Sequence, residues 1–266
     1  MVYFILAVIA AFAVYAFIEN KIMLRVRREK LGGKIKAVHL SDLHKRRFGK
    51  NNSRLCKAVE QESPDVIIFS GDIVSRTETD FSAVKRTLDS LCRIAPVYMI
   101  MGNHEQSLPP EKQEEFLQTI GKTDVILLRN EMIRTEIKDR DITICGLLED
   151  YEVYKKDGGY RDLKKITTDG ITELLGECPK GEVLLMAHNP FFGEAYAEWG
   201  ADWVFSGHVH GGIVRLFGKA ILSPERKFFP KNAKGVYKFG RSRLLVSAGL
   251  GKLRLFNAPE IVVYML

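Results

Sequence analysis

The sequence predicts an α/β protein in which two sheets pack together with helices outside, preceded by one apolar N-terminal helix. Three observations carry that prediction. A short apolar run ending in a small residue and a polar side chain recurs five times between residues 35 and 212. Amphipathic helical patterns separate the earlier runs, and the later half is richer in strand-like segments. Finally, the first eighteen residues carry no charge at all.

Taken in order, residues 1–18 as a helix rise about 27 Å, close to a hydrocarbon core of about 30 Å. A cleaved signal peptide is the rival reading. No basic residue precedes the run, however, and the small-residue pattern at Ala11 and Ala13 falls inside it. The expectation is a single-pass membrane anchor over residues 1–20. Lys21, Arg25, Arg27, Arg28 and Lys30 follow. They are read as a basic juxtamembrane linker over 21–33, and by the positive-inside rule they put the bulk of the chain, 34–266, on the cytoplasmic side. Buried strands are expected at 35–40, 66–69, 97–101, 183–187 and 203–205. Phe81, Val84, Leu88 and Leu91 recur at helical spacing over 80–94, with Asp80 as the candidate N-cap. Weaker helices are read at 111–120 and 168–175. Segments 132–137 and 142–147 form a hairpin around Lys138-Asp139-Arg140, and strands follow at 213–216, 220–222, 235–239, 244–247 and 261–266.

A chain of 266 residues, 46% hydrophobic and 27% charged, is neither a disordered polymer nor a disulfide-stapled miniprotein. Its four cysteines form no CxxC pair, so free thiols are expected rather than a thiolate metal site. The net charge of +7 is local: ten Lys or Arg lie between Lys219 and Arg254 against one acid, Glu225. Lys45, Arg46, Arg47 and Lys50 form a further cluster. Solvated surface explains any one cation, but three clusters favour an anionic partner: phosphate, a lipid surface or nucleic acid. The basic segments lack the aromatic interleaving of RNA-binding modules, so nucleic acid is not favoured.

The histidines speak most directly. Of six, His44, His104, His188, His208 and His210 sit directly after expected buried strands, and only His39 lies inside one. Asp42, Asp72 and Asn103 occupy equivalent positions. Ligand sites in α/β sheets gather beyond the carboxyl ends of strands, and so many polar groups at one sheet edge are costly unless cations compensate them. In Asp42-x-His44 and His208-x-His210, side chains two apart in an extended segment point the same way. Imidazole, carboxylate and amide without thiolate suit Mn, Fe or Zn in an open catalytic site. The set suffices for two ions sharing one carboxylate, an arrangement that clamps both the attacking and the leaving oxygen of a phosphoryl displacement.

The blocks DLH (42–44), GD (71–72), GNHE (102–105), His188 and GHVH (207–210) resemble the calcineurin-like metallophosphoesterases and appear in family order. The resemblance implies a four-layer αββα sandwich with two mixed β-sheets and a dinuclear centre. It further implies that Asp42, His44 and His210 bind one metal, that Asn103, His188 and His208 bind the other, and that Asp72 bridges them. His104 would bind no metal and would serve catalysis at the leaving group. Some phosphoprotein phosphatases of the family read GDxxDRG in the second block. Here Ser75 replaces the second Asp, which argues against that branch, while Arg76 remains a candidate phosphate contact. The tail, with LSPER at 222–226 and SAGLG at 247–251, is similar to membrane-associated bacterial members, some acting on UDP-diacylglucosamine-type lipid precursors.

The expected activity is metal-dependent phosphohydrolysis of an amphiphilic phosphate ester or pyrophosphate at the membrane, with Arg226 or Lys227 meeting phosphate and Phe228 and Phe229 meeting acyl chains. The alternatives are a soluble-nucleotide or general phosphodiesterase, and a non-catalytic metal-binding scaffold. None of the family's ligands is missing, which speaks against the scaffold, and neither HExxH nor a deaminase pattern is present.

Overall fold

The computed structural model describes residues 1–266 except 157, 158, 161, 224–227 and 253. The chain runs α1 (Val2–Lys21), β1 (Arg25–Lys30), β2 (Lys36–Leu40), α2 (Ser53–Glu62), β3 (Val66–Phe69), α3 (Ser82–Cys92), β4 (Val97–Met99) and α4 (Asn103–Gln106). It continues through α5 (Pro110–Ile120), β5 (Ile126–Leu127), β6 (Glu131–Ile137), β7 (Arg140–Gly146), α6 (Thr168–Leu175), β8 (Glu182–Met186) and α7 (Gly193–Trp199). The last elements are β9 (Trp203–Ser206), β10 (Val214–Leu216), β11 (Lys219–Leu222), β12 (Gly235–Phe239), β13 (Ser242–Val246) and β14 (Glu260–Met265).

Two six-stranded mixed sheets, ordered β1-β14-β2-β3-β4-β5 and β12-β13-β9-β8-β7-β6, form the centre. Alternation along their strands dictates four layers. Val38, Leu40, Ile67, Phe69, Val97 and Met99 face outward, packing with Leu55, Val59, Leu88 and Phe116 of α2, α3 and α5. Their neighbours Ala37, Val66, Ile68 and Tyr98 face inward and meet Leu184, Met186 and Phe205 of the second sheet. Val183, Leu185 and Val204 point the other way, onto Ile171, Tyr196 and Trp199 of α6 and α7. Each fully buried Leu, Ile or Phe contributes roughly 1.5–3 kcal/mol, so a one-residue slip of any central strand would be far costlier than a lost ladder bond. The αββα sandwich is therefore present, with β2, β3, β4 and β5 mutually parallel and β7, β8, β9 and β13 likewise. Their carboxyl ends converge on one edge.

The stretch expected to be a basic linker is a correction. Residues 25–30 form β1, which pairs in parallel with β14 from Arg25↔Glu260 to Lys30↔Met265. Val26 packs on the outer core, while Arg27 pairs with Glu260 at 3.1 Å and Arg28 with Glu62. Charged residues on an edge strand keep it from templating another chain, and that device makes the segment read as solvated linker. Helices α2 and α7 were also not anticipated. Asp80 sits one residue before the observed N-cap, yet its Oδ1 still accepts the Ser82 N–H at 2.8 Å. The β6–β7 hairpin turns at Lys138 and Asp139 as expected, with φ of 50° and 61°.

Candidate active site

Four of the expected site loops leave a strand through a left-handed residue or glycine. Asp42, His44, Asp72, His208 and His210 have φ of 53°, 49°, 56°, 66° and 54°. Such backbone costs about 1–3 kcal/mol per non-glycine residue and persists only where its surroundings enforce it. Here the loops bond one another. The Asp42 N–H donates to the Gly71 carbonyl at 3.0 Å, and the His44 N–H to the Asp72 carbonyl at 3.2 Å. The His104 N–H donates to Asp72 Oδ1 at 2.8 Å, and the His208 N–H to Asp42 Oδ1 at 3.1 Å. Gly71, at φ +97°, admits no side chain: a Cβ would lie 2.8 Å from both Gly102 N and His188 Nδ1.

These contacts gather all seven expected metal-binding residues and His104. Ligand-type atoms of Asp42, His44 and His210 lie within 4.8 Å of one another, as do those of Asp42, Asp72 and His188. Asp72 Oδ2 stands between the two sets, 3.9 Å from His44 Nε2 and 3.3 Å from His188 Nε2. Asn103 Oδ1 and His208 Nδ1 are 3.0 Å apart. Asp42 and His188 are fully buried, and Asp72 nearly so.

Second nitrogens orient the rings. His188 Nδ1 bonds the Ser70 carbonyl at 2.6 Å and His44 Nδ1 the Val74 carbonyl at 3.2 Å, turning each Nε2 toward the carboxylates. His188 Nε2 and His210 Nδ1 are buried with no hydrogen-bond partner. Unpaired buried nitrogens aimed at carboxylates fit a divalent cation and are otherwise costly. Electrostatics agree. Burial opposes the charged form of His188, yet Asp72, Asp42 and Glu149 raise its pKa to about 10. Burial pushes Asp72 up, but His188, His104 and His44 outweigh it and hold this carboxyl well below the usual range. The pocket's negative charge demands a positive one.

His104 stands apart from the unpaired nitrogens. Its ring lies 4.4 Å from that of His44, and burial first of all lowers its pKa to about 4. The Arg76 N–H donates to its Nδ1 at 3.2 Å, while the Arg76 guanidinium Nη2 lies 3.1 Å from its Nε2. With Nδ1 accepting, Nε2 carries the proton and two donors face each other. An anion between them would satisfy both. The Ser75 hydroxyl lies 3.4 Å from Thr77 Oγ1 and is not a carboxylate that could support His104.

Several supporting residues escaped the sequence reading. Glu105, fully buried, accepts the N–H groups of Asp72, Val74 and Gly102 at 2.8, 2.9 and 2.7 Å, locking two site loops together. Burial and Asp72 raise its pKa to about 8, against the pull of those three donors. It lies inside GNHE, so the signal was present: an acid three residues after Gly102, in the short helix that follows β4. Glu149 accepts from Asn189 N at 3.0 Å and Tyr196 OH at 2.8 Å, and from Tyr154, whose ring stacks edge-on against His208 at 4.8 Å. Asn257 Nδ2 and Arg254 Nη1 hold the His210 carbonyl at 2.6 and 3.3 Å. Neither Glu149 nor Asn257 has a sequence signal, because each acts through contacts made by folding.

Asp72, Arg76, Asn103, His104, Tyr154 and His210 line part of a cleft of about 60 Å³ over the centre. A hollow of about 550 Å³ lies beyond the 149–154 loop, walled by Leu147, Leu148, Val153, Ile166 and Ile171 with Lys164 and Lys165. The expected phosphate contacts Arg226 and Lys227 lie outside the described residues. Phe228 and Phe229 are exposed, at 73% and 67%, rather than buried in a core. His39 is structural, as expected: it is buried, Nε2 lies 2.7 Å from Ser70 Oγ, and its ring packs on Phe205.

Comparison with known proteins places this geometry. The family model for calcineurin-like phosphoesterases matches residues 35–212. The uncharacterized metallophosphoesterase YkoQ of Bacillus subtilis is 24% identical, over 88% of this chain and 84% of that protein. Phosphodiesterase YaeI of Escherichia coli is 26% identical over 86% of this chain and 80% of its own length. The UDP-2,3-diacylglucosamine pyrophosphatase LpxG of Chlamydia muridarum is 23% identical over 86% and 82%. Among solved structures, TT1561 of Thermus thermophilus shares the fold at a TM-score of 0.50 and 9% identity, over 82% of this chain and 90% of that one. The matched region runs through every strand end that carries a site residue, and this chain belongs to the calcineurin-like phosphoesterases, a family of dinuclear metal-dependent phosphohydrolases.

Proposed function

We propose that this protein hydrolyses a phosphodiester or pyrophosphate bond of a lipid-linked or nucleotide-lipid substrate at a membrane surface. The observation that carries the reading is the seat of α1. Asn20 and Arg254 exchange bonds of 2.7 and 3.0 Å, and the same Arg254 reaches the His210 carbonyl, so the apolar helix ends one residue from the site wall. A site fixed there works where amphiphilic phosphates are found. The chemistry named for YaeI and LpxG supports the same bond types. In this reading α1 is the single-pass anchor, with the catalytic part on the cytoplasmic side.

Asp42, His44 and His210 would hold one cation and Asn103, His188 and His208 the second, with Asp72 shared between the two sets. When bound, the two ions, Mn, Fe or Zn, activate water and polarise the phosphoryl oxygens. His104 stabilises or protonates the departing oxygen, and Arg76 holds the phosphate in line. Glu105 keeps the loops of Asp72 and Asn103 in register. The 550 Å³ hollow beside the cleft offers room for an apolar portion of substrate.

The test uses full-length protein in vesicles with Mn²⁺, comparing one phosphate ester in acylated and deacylated forms. A higher kcat/KM for the acylated form is expected. Equal values would end the lipid reading in favour of a soluble nucleotide or general phosphodiester.

A further inference from the structure

Helix α1 is about 30 Å long from end to end, but the domain climbs part of it. Asn20 meets Arg254, Glu19 Oε2 accepts the Phe256 N–H at 2.8 Å, and the Phe256 ring lies 5.3 Å from Tyr15 and 6.0 Å from Phe12. Residues 254–256 thus ascend the helix from its last turn toward its middle. Above Phe12 only residues 2–11 stand clear, about 15 Å of helix, half of a hydrocarbon core of about 30 Å. A bilayer crossed by α1 therefore has to reach down to the level of Phe256.

Strand β10 runs alongside this ascent. Val214 bridges Leu255 in parallel, with Arg215 N–H on the Leu255 carbonyl at 3.0 Å and Leu255 N–H on the Ile213 carbonyl at 2.9 Å. Parallel pairing means β10 climbs in the same direction, carrying its tip about 10 Å further at roughly 3.3 Å per residue. At that tip Leu216 is exposed and Phe217 wholly so. Phe228, bridged to Leu222, and Phe229, whose N–H bonds the Ile221 carbonyl, add two exposed aromatic rings to the same lobe. Cations collar the helix foot: Lys21, Arg47 and Lys252 are exposed, and the charge of Lys252 lies within reach of the other two.

From this juxtaposition we infer that the β10–β11 lobe is a second membrane contact, its Leu216–Phe217 tip and Phe256 entering the acyl region of an anionic bilayer beside α1. Apolar side chains above a basic collar match hydrocarbon above anionic headgroups. The lobe leads directly from Gly212 at the site, so its insertion sets the tilt of the cleft toward the bilayer. The inference rests on α1 being an anchor.

Depth-dependent quenching tests it. The full chain is reconstituted into phosphatidylcholine–phosphatidylglycerol vesicles with brominated acyl chains, as Phe217→Trp, as Phe229→Trp, and as Met132→Trp on the opposite edge strand. Bromolipid should remove about half or more of the emission added at 217, since an apolar group seated about 5–10 Å into the headgroup–acyl boundary meets the bromines. The Met132→Trp emission should be unchanged. Phe229→Trp repeats the test should the first variant misfold. Emission at 217 and 229 no more quenched than at 132, from protein that floats with the vesicles, overturns the lobe contact and leaves the anchor standing. Protein that does not float overturns both.

Discussion

His104 Nε2 and the Arg76 guanidinium face each other at 3.1 Å, two donors whose proposed role is to receive an anionic oxygen of the substrate. Asp72, whose own Oδ1 holds the His104 N–H, works differently, through an Oδ2 set between His44 and His188. The two residues should therefore fail differently. His104→Ala is expected to keep both metals by elemental analysis while losing about 10²–10⁴-fold in rate, with much smaller losses for a leaving group that needs no proton. Asp72→Ala is expected to lose the metal pair together with activity. Metal loss in His104→Ala, or a full metal complement in Asp72→Ala, would reverse the assignments. His44 and His210 illustrate a related economy: each lies two residues from another site residue, so one strand end supplies two donors.

Among elements, the β6–β7 hairpin shows local chemistry in conflict with its turn. Lys138 and Asp139 both occupy the left-handed region that a two-residue hairpin requires, where Asn-Gly is the preferred pair. Lys138 is held there by an ion pair with Asp65 at 2.9 Å, so it is best retained. Asp139→Gly should then relieve strain of roughly 1 kcal/mol, offset in part by unfolded-state entropy, for a rise of about 1–4 °C in Tm. Thermal unfolding with metal present decides it, and a lower Tm would mean that Asp139 makes a contribution beyond its backbone. Helix α4 is the opposite case. Its four residues are too few to be stable alone, and it exists because Glu105 reaches back to Gly102 N–H and across to Asp72 and Val74.

At the scale of the whole molecule, β1 ties the N-terminal segment to the site. It covers the edge of β14, and its Arg27 meets Glu260, which also accepts the Ala248 N–H at 3.1 Å and pairs with Lys234 at 2.5 Å. Ala248 belongs to the SAGLG loop, whose Gly249 lies so close to Asp42 that a Cβ would sit 2.6 Å from its Oδ2. A chain beginning at residue 34 would open the β14 edge and leave Glu260 short of a partner. Breaking a buried pair costs about 3–5 kcal/mol, less here because Lys234 remains. Such a chain should unfold at lower temperature than one beginning at residue 23, and should self-associate with concentration through the bare edge. Equal Tm values and monodisperse sedimentation for both would show that β1 is dispensable.

Much of the site was legible because its chemistry is local. Asp42-x-His44, Gly-Asp72, Asn103-His104 and His208-x-His210 each follow an apolar run, and a parallel sheet delivers every such strand end to one edge whatever the intervening sequence. The two packed sheets were legible in the helical patterns between the early runs and the strand-rich later half, and the family resemblance implied the four layers. The uniformly apolar runs 66–69 and 183–187, however, left the face of each side chain to the pleat of the folded sheet. Tertiary structure alone decided the rest. RVRREK became a strand because β14 offered it six backbone partners, a long-range term that outweighs the residues' charge. Glu149, Arg254 and Asn257 came to serve the site through partners 40 or more residues distant, spacings that carry no periodicity. The path of residues 254–256 along α1 depends on Glu19 and Asn20 reaching across more than 230 residues. No window of sequence contains that contact. Hydrophobic pattern and strand-end chemistry are properties of neighbours, whereas buried hydrogen bonds choose their partners only once the chain has closed.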